Sequence, residues 1–299
     1  MYSRTLTTVI ILFWLTTTTW LVATKVLPLL QVGDPPNYRA IVAAQRRQPT
    51  VGWDLSLDGH PLGWALTTAN SLSDGSTEMC GRIHFDELPL AKLAPDWSMA
   101  LKTVWQITIA KLPRITMDAS SNLVVKNGRL TRFDSTVQID RLTPVRLFGT
   151  VDGAHVAVRV ESKDFSSQTA FWIPPGALLD DSLSPQTQLP GLHVGQTWTV
   201  PTYSPLRPLT NPVEILRAKV EGREEITWNG HKEVCDRVTY RRESGFSMGG
   251  NSECGHLWVR GDGTVLIQDT VMLDARITFV RAGPERAAVL AKRVPAHAP

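Results

Sequence analysis

The sequence predicts a mainly β protein in which an N-terminal transmembrane helix precedes two tandem antiparallel β domains, each half-barrel or sandwich-like. The prediction depends on an uncharged N-terminal segment, on strand-like alternation with Asn-Gly and Asp-Gly turns, and on a proline-rich stretch that separates two groups of strands. The 299 residues are 42% hydrophobic and 20% charged, which is typical of a globular chain long enough for two domains.

The N-terminal segment 5–24 contains no charged residue, and Arg4 and Lys25 flank it. As a helix it would span about 30 Å, the thickness of the hydrocarbon core of a bilayer. We therefore predict a signal anchor over residues 1–32, with a cleaved signal peptide as the alternative. Because the leading tail is short, the C-terminal domains are expected to be extracytoplasmic, on a single-pass protein of the cell membrane, and periplasmic in a Gram-negative type of cell.

The first β domain is predicted over residues 51–173, after a juxtamembrane tether at 33–50. Asp58-Gly59 and Asn127-Gly128 are hairpin turn signals within it. A helix near 90–106 interrupts the strands, since apolar residues recur there at three- and four-residue spacing. We expect this helix to pack on the first sheet and to supply the candidate ligand-binding residues Leu93, Trp97, Leu101 and Trp105.

A second β domain is predicted over residues 194–284. Four prolines between 174 and 190 mark an interdomain linker at 174–193. The last segment, 285–299, has little apolar content and is expected to be a flexible tail.

Two fragments of the first domain recur in the second. DLSLDGH at 54–60 matches EITWNGH at 225–231, and NLVVKNGRL at 122–130 resembles HLWVRGDGTV at 256–265. An aspartate stands six residues past the turn glycine in the second pair of fragments, as Asp134 and Asp269. These matches predict an internal duplication, although turn chemistry alone also favours Asn-Gly and Asp-Gly in unrelated hairpins. His60 and His231 are interpreted as surface turn residues, with a functional pair as the alternative.

The stretch Gly245-Phe246-Ser247-Met248-Gly249 has the G-x-S-x-G pattern of a serine-hydrolase nucleophile elbow. That elbow needs a strand before it and a helix after it. Glycine-rich sequence and a further strand follow here, so we interpret the stretch as a hairpin loop. Cys254 and His256 share one face of a strand, but no third group is evident that would orient the histidine. We therefore assign no catalytic residue, and no metal or cofactor motif is present.

Three cysteines are an odd number for an exported chain, so at least one thiol is expected to remain unpaired. A Cys235–Cys254 bridge is possible within one predicted hairpin, but a simple hairpin would place the two residues out of register. The net charge of +3 is small, and both signs are interspersed. A nucleic-acid partner is therefore not expected, since it requires clustered Lys and Arg.

The N-terminal anchor, the D-G-H and N-G-H hairpins and LWVRGDGTVL at 257–266 resemble uncharacterised bacterial envelope proteins with curved antiparallel β domains, similar to the lipoprotein-carrier class. The resemblance covers about half of the exported chain and implies a curved sheet closed by a helix, whose interior can hold a lipid. Lipoprotein carriers are usually single soluble domains, whereas this chain is predicted to be anchored and duplicated.

The function expected from these observations is that of a non-enzymatic, membrane-anchored extracytoplasmic protein that binds a partner protein or an apolar ligand at the envelope. The alternative is a structural or assembly scaffold of an envelope complex without a ligand. An envelope enzyme of unknown type is the third hypothesis.

Overall fold

The computed structural model describes residues 4–21, 36–48, 50–88, 115–140, 142–163, 165–173, 178–181, 184–203, 213–242, 253–272 and 275–293. The helices in these ranges are α1 (Arg4–Leu21), α2 (Tyr38–Gln45) and α3 (Pro284–Arg293). The strands are β1 (Thr50–Leu57), β2 (His60–Ser71), β3 (Thr77–Leu88), β4 (Ile115–Lys126), β5 (Arg129–Ile139), β6 (Val145–Asp152), β7 (His155–Ser162), β8 (Phe165–Trp172), β9 (Asp180–Asp181), β10 (Thr197–Tyr203), β11 (Val213–Trp228), β12 (His231–Arg242), β13 (Glu253–Arg260), β14 (Val265–Met272) and β15 (Ala275–Arg281).

All 15 strands belong to one sheet, in the order β8-β7-β6-β5-β4-β3-β2-β1-β15-β14-β13-β12-β11-β10-β9. Neighbouring strands are antiparallel, except that the short β9 runs parallel to β10. The first and last strands pair with each other, which places Trp53 opposite Arg281. The prediction of a mainly antiparallel β protein is confirmed. A split into tandem domains is not shown, because the two groups of strands are hydrogen-bonded neighbours in one sheet, and the boundaries at 51–173 and 194–284 stay predictions.

The sheet is curved, and its concave face carries the hydrophobic core. Side chains alternate along the strands, so that Val156, Val158 and Val160 of β7 are buried while their neighbours are partly or fully exposed. The rings of Phe133 on β5 and Tyr203 on β10 lie 4.4 Å apart between centroids. Because many strands separate β5 from β10 in the sheet order, this contact requires the sheet to curl around the core.

Helices α2 and α3 pack against different parts of the sheet. Helix α2 buries Tyr38, Ile41 and Val42, and the Asn37 side chain caps it by accepting a hydrogen bond from the backbone of Ala40. Helix α3 packs on β1, where a Cβ at Gly52 would lie 2.9 Å from the Ala287 Cα atom. The stretch from 285 to 293, expected to be a flexible tail, therefore forms a helix with an apolar stripe of its own.

Helix α1 begins at Arg4 and covers residues 5–21 of the uncharged segment that predicted a transmembrane helix. The hydroxyl groups of Thr16 and Thr17 donate hydrogen bonds to carbonyl groups one turn earlier, at 2.8 Å each. Among the described residues, no helix combines the length and the apolar character needed to cross a membrane. The predicted transmembrane helix is thus not found, since the four threonines at 16–19 dilute the apolar character of the segment.

The two pairs of matching fragments form hairpins, as the duplication requires. Asp58, Asn127 and Asn229 have positive φ angles of 50°, 53° and 48°, which suit tight turns followed by glycine. However, β3 lies between β2 and β4, whereas β12 pairs directly with β13. The matching hairpins therefore occupy different positions relative to each other in the two halves, because one half has an additional strand.

Candidate ligand-binding site

The predicted ligand-binding residues Leu93, Trp97, Leu101 and Trp105 and their helix near 90–106 lie outside the described residues. Ser247 of the G-x-S-x-G stretch lies outside them as well. Among the described residues, two parts of the chain instead close the concave interior. One is α2, and the other consists of residues 178–181 and 184–189, which we call the closing segment. This segment belongs to the stretch predicted to be a linker, and its residues Leu178, Leu179 and Leu189 are buried in the core.

The first part of the closing segment is held to α2 by one side chain. The Tyr38 hydroxyl donates a hydrogen bond to the carbonyl oxygen of Leu179 and accepts one from the Leu179 backbone N–H, both at 2.9 Å. A further contact joins the hydroxyl groups of Ser184 and Ser121 at 2.7 Å. We call the Tyr38–Leu179 pair the latch, because it is the side-chain connection between α2 and the start of this segment.

The second part of the closing segment is bound much more extensively, to β14 and its preceding turn. The Leu189 N–H donates to the carbonyl of Gly263 at 2.7 Å, and the Val265 N–H donates to the carbonyl of Thr187 at 3.2 Å. The Gln186 N–H donates to the side-chain oxygen of Gln268 at 2.8 Å. Residues 186–189 are therefore a fixed part of the sheet, whereas Leu178 and Leu179 are held by the latch and precede the short strand β9, which pairs with β10.

A buried arginine reinforces this fixed part. Arg281 donates to the carbonyl groups of Thr187 and Val265 at 3.1 Å each and to the side-chain oxygen of Gln48 at 2.5 Å. Its guanidinium lies 5.7 Å from the centre of the Trp53 ring. Burial lowers the pKa of Arg281 to about 10, so the group remains charged at neutral pH. Its role is to satisfy buried carbonyl groups and to hold the closing segment to the sheet.

An apolar cavity of about 70 Å³ lies beneath the closing segment. An engineered apolar cavity of about 150 Å³ holds one benzene molecule, and ligand pockets usually measure about 300–1,000 Å³. The closed interior is therefore too small for a lipid. Its lining includes Ile41, Met79, Leu123, Leu178, Leu179 and Trp198.

The convex face carries a larger groove of about 470 Å³ between the end of α3 and strands β2 to β5. His84 is central to it, with Nδ1 at 2.7 Å from Asp118 and Nε2 at 3.2 Å from Asp86. Trp64 stacks on the His84 ring at 5.7 Å between centroids. Since the imidazole and the two carboxylates bind one another, these groups stabilise the surface of the sheet rather than offer an open binding site.

His256 has a similar environment on the other half of the sheet. Its Nδ1 lies 3.0 Å from Asp269, its Nε2 lies 3.3 Å from Glu253, and Arg276 binds Asp269 at 2.8 Å. The hydrogen bond with Asp269 raises the pKa of His256, although burial opposes the increase. Because both ring nitrogens contact carboxylates, His256 is poorly placed to act as a base for Cys254.

Sequence reasoning identified the repeated aspartate but missed Asp269 as the partner of His256. The hairpin register places His256 directly opposite Asp269. The corresponding pair in the first half is Asn122 and Asp134, joined by a hydrogen bond of 2.9 Å. Counting back from the turn glycines would have revealed both pairs.

The remaining candidate residues are scattered over the sheet. His60 and His231 are exposed at the starts of β2 and β12, as expected for turn residues. The paired acids Glu224 and Glu225 bind Arg237 at 3.5 Å and Lys232 at 2.6 Å, respectively. Asp180 and Asp181 form the short strand β9. Within the described ranges, no group of three or more His, Cys, Asp or Glu side chains is arranged so that it could hold a metal ion.

All three cysteines lie within the described residues, and none forms a disulfide. Cys235 is buried opposite Arg260 in the register of β12 and β13, so it does not face Cys254. Burial raises the pKa of Cys80 and of Cys235 to about 11. These two thiols are therefore protonated at neutral pH and are poor nucleophiles.

Neither a protein-family model nor a curated protein sequence matches the chain. Among solved structures, it is similar to a β-barrel-like protein of the domain of unknown function DUF1849 from Brucella abortus, with a TM-score of 0.47, 10% identity and coverage of 78% of this chain and 94% of that one. It is also similar to the hypothetical lipoprotein YmcC from Escherichia coli K12, with a TM-score of 0.25, 9% identity and coverage of 83% and 90%. Both structural similarities are weak, and no family is shown.

Proposed function

We propose that this protein is a non-enzymatic binding protein of the cell envelope, whose concave interior takes up an apolar chain when the start of the closing segment moves outward. The observation that carries the proposal is the apolar cavity beneath Leu178 and Leu179. The latch and the Ser184–Ser121 contact hold these two leucines from the side, and the pairing of β9 with β10 anchors the chain directly after them. Outward movement of these two leucines would join the cavity to the exterior without breaking the bonds of residues 186–189.

The cost of this movement indicates the size of the ligand. Breaking the two hydrogen bonds of the latch costs about 1–3 kcal/mol, and exposing two leucine side chains costs about 3–6 kcal/mol. Burial of a methylene group contributes about 0.8 kcal/mol, so roughly 5–11 methylene groups would offset the total. The proposed ligand is therefore a long acyl chain, such as that of an envelope lipid, and not a small apolar molecule.

The non-enzymatic part of the proposal rests on the chemistry of the nucleophiles. Cys80 and Cys235 have pKa values raised to about 11 by burial. His256, the base nearest in sequence to Cys254, contacts carboxylates through both nitrogens. For the location we infer the extracytoplasmic side of the cell membrane, and the uncharged segment 5–24 between Arg4 and Lys25 supports this as an export signal.

The proposal is tested with the full chain purified from an exporting host. Native mass spectrometry and organic extraction would identify co-purified molecules, and saturated fatty acids of 6, 12 and 16 carbons would compete with a fluorescent fatty acid for binding. We expect stoichiometric binding of the two longer acids and little binding of the shortest. Tyr38→Phe should accelerate binding, because it removes the latch and keeps the ring.

Tyr203→Phe is the matched control, since it removes another buried tyrosine hydroxyl that does not belong to the latch. The proposal would be overturned if native mass spectrometry showed the mass of the chain without a ligand and if neither variant bound any of the fatty acids. That result would favour the alternative of an envelope scaffold without a ligand. Equal acceleration by both substitutions would refute the role of Tyr38 as the latch.

A further inference from the structure

Strand β8 forms one end of the sheet. It pairs with β7 over eight residues, from Ser162 opposite Phe165 to His155 opposite Trp172, without a register shift. Among the described residues, no strand pairs with its other side. Alternate residues of such an edge direct their N–H and C=O groups away from the sheet, so β8 offers about four donors and four acceptors to a further strand.

This edge lacks the features that normally prevent pairing with another chain. Edge strands are usually short, bulged, interrupted by proline or marked by charged side chains. The sequence of β8, FSSQTAFW, has no charged residue and no proline. The opposite end of the sheet differs, because β9 has only two residues.

The core is also incomplete at this edge. The side chains of Phe165, Ser167, Thr169 and Phe171 face the concave side, on the same row as the buried valines of β7. The two phenylalanines pack against the core and remain partly exposed. On the convex row, the exposed fraction of Trp172 is 68%. A further strand would cover the outer flank of both phenylalanine rings.

We propose that a second copy of this chain pairs with β8 in an antiparallel register, about a two-fold axis at Gln168. Residues opposite each other in an antiparallel pair lie on the same face, so the concave row of one copy must face the concave row of the other. A centre at Gln168 meets this condition. It places Phe165 opposite the partner's Phe171, Ser167 opposite the partner's Thr169, and Gln168 opposite its own copy.

The side chains of β8 suit this self-pairing. The register forms two equivalent Phe–Phe pairs on the concave row, and such cross-strand aromatic pairs are stabilising. On the convex row, two glutamine amides meet at the axis, and each has a donor and an acceptor. No like charges oppose each other, because β8 carries none. Arg159 and Glu161 on the neighbouring β7 already bind each other at 3.0 Å.

The register is tested by cysteine cross-linking of the full chain in the envelope of the host. Gln168→Cys should form a dimer on mild oxidation, because directly opposed Cα atoms in a strand pair lie about 4.5–5.5 Å apart, within the range that a disulfide spans. Mass spectrometry of the linked peptides must show residue 168 joined to itself. Ser166→Cys is the matched control, since the register places it opposite the partner's Ala170 and predicts no homodisulfide.

A second measurement uses charge instead of a cross-link. Gln168→Lys should raise the dissociation constant of the dimer about tenfold in sedimentation velocity, because it replaces the amide pair with two like charges. Val234→Lys is the control, since Val234 is 60% exposed on β12, a strand that is paired on both sides. This substitution should leave the dissociation constant of the dimer unchanged. A monomer at all concentrations with no 168–168 peptide would overturn the proposal, as would cross-linking of β8 to a different protein in place of its own copy.

Discussion

Replacement of Gly149 by alanine tests whether the sheet curls as described. Gly149 on β6 lies directly opposite Phe133 on β5, and the Phe133 ring covers the glycine. A Cβ at position 149 would lie 2.0 Å from Cζ of Phe133 and 2.2 Å from Cε1. The ring is 2% exposed and contacts Tyr203, which is fully buried. Phe133 therefore cannot move aside without displacing Tyr203 on the far side of the core.

The size of the clash sets the expected loss of stability. Carbon atoms in contact lie about 3.5–4.0 Å apart, so the ring would have to move by about 1.5–2 Å. Overpacking of a core costs about 1–3 kcal/mol, and the restraint by Tyr203 places this substitution near the upper limit. For a chain of this size, a loss of about 3 kcal/mol lowers Tm by roughly 6–12 °C.

The assay is thermal and urea unfolding of Gly149→Ala, Phe133→Leu and the double variant. The double variant should be more stable than the sum of the two single effects predicts, because the smaller leucine relieves the clash. Gly222→Ala is the matched control, since Gly222 also lies in a strand and a Cβ there meets nothing within 4 Å. A Gly149→Ala protein as stable as the Gly222→Ala protein would refute the packing of Phe133 over Gly149 and the curl that depends on it.

Three further predictions concern other parts of the sheet. His256 has a pKa raised above its ordinary value of 6.5, so its contribution to stability is complete below pH 6.5 and is lost as the pH rises through the folded pKa. Asp269→Asn should flatten the decline of the free energy of unfolding with rising pH, measured by urea unfolding from pH 5 to 9. An unchanged dependence of the free energy of unfolding on pH would contradict this role of the His256–Asp269 pair. Gly52→Val should detach α3, since even a Cβ at this position would lie 2.9 Å from the Ala287 backbone. Hydrogen exchange of residues 284–293 should therefore increase. Asp54→Ala removes only an exposed ion pair with Arg286, so it should leave the exchange rates of these residues nearly unchanged. The buried Cys235 should resist alkylation at pH 8 in the folded protein and react after unfolding, and rapid labelling of the native protein would disagree with its burial and with its pKa of about 11.

The strands and their turns were predictable from local sequence, because their causes are local. Alternation of apolar residues marks the buried face of a strand, and Asn-Gly and Asp-Gly pairs mark turns that require positive φ angles. Asn127 and Asn229 confirm this chemistry in the structure. Turn spacing also determines register, so the opposition of His256 and Asp269 could have been predicted from the position of the turn between them.

The arrangement of the strands was not predictable in the same way. A proline-rich stretch is typical of a linker, and it favours the expectation of two separate domains. The same composition also suits a segment that lies along a sheet and bonds to it at only a few positions, because prolines do not need hydrogen-bond partners for an N–H group. Residues 186–189 follow this second course, with Leu189 buried and Gly263 accepting its N–H. Nothing local distinguishes the two, since the difference lies in contacts with β14 and β15.

The pairing of β1 with β15 has a consequence for the candidate site. Helix α2 and the latch residue Tyr38 belong to the N-terminal half of the chain, whereas the strands that fix residues 186–189 belong to the C-terminal half. Arg281 connects them, because it lies opposite Trp53 on β1 and donates to Thr187 in the closing segment and to Gln48 after α2. The cavity is therefore lined by both halves and exists only when both are folded and paired.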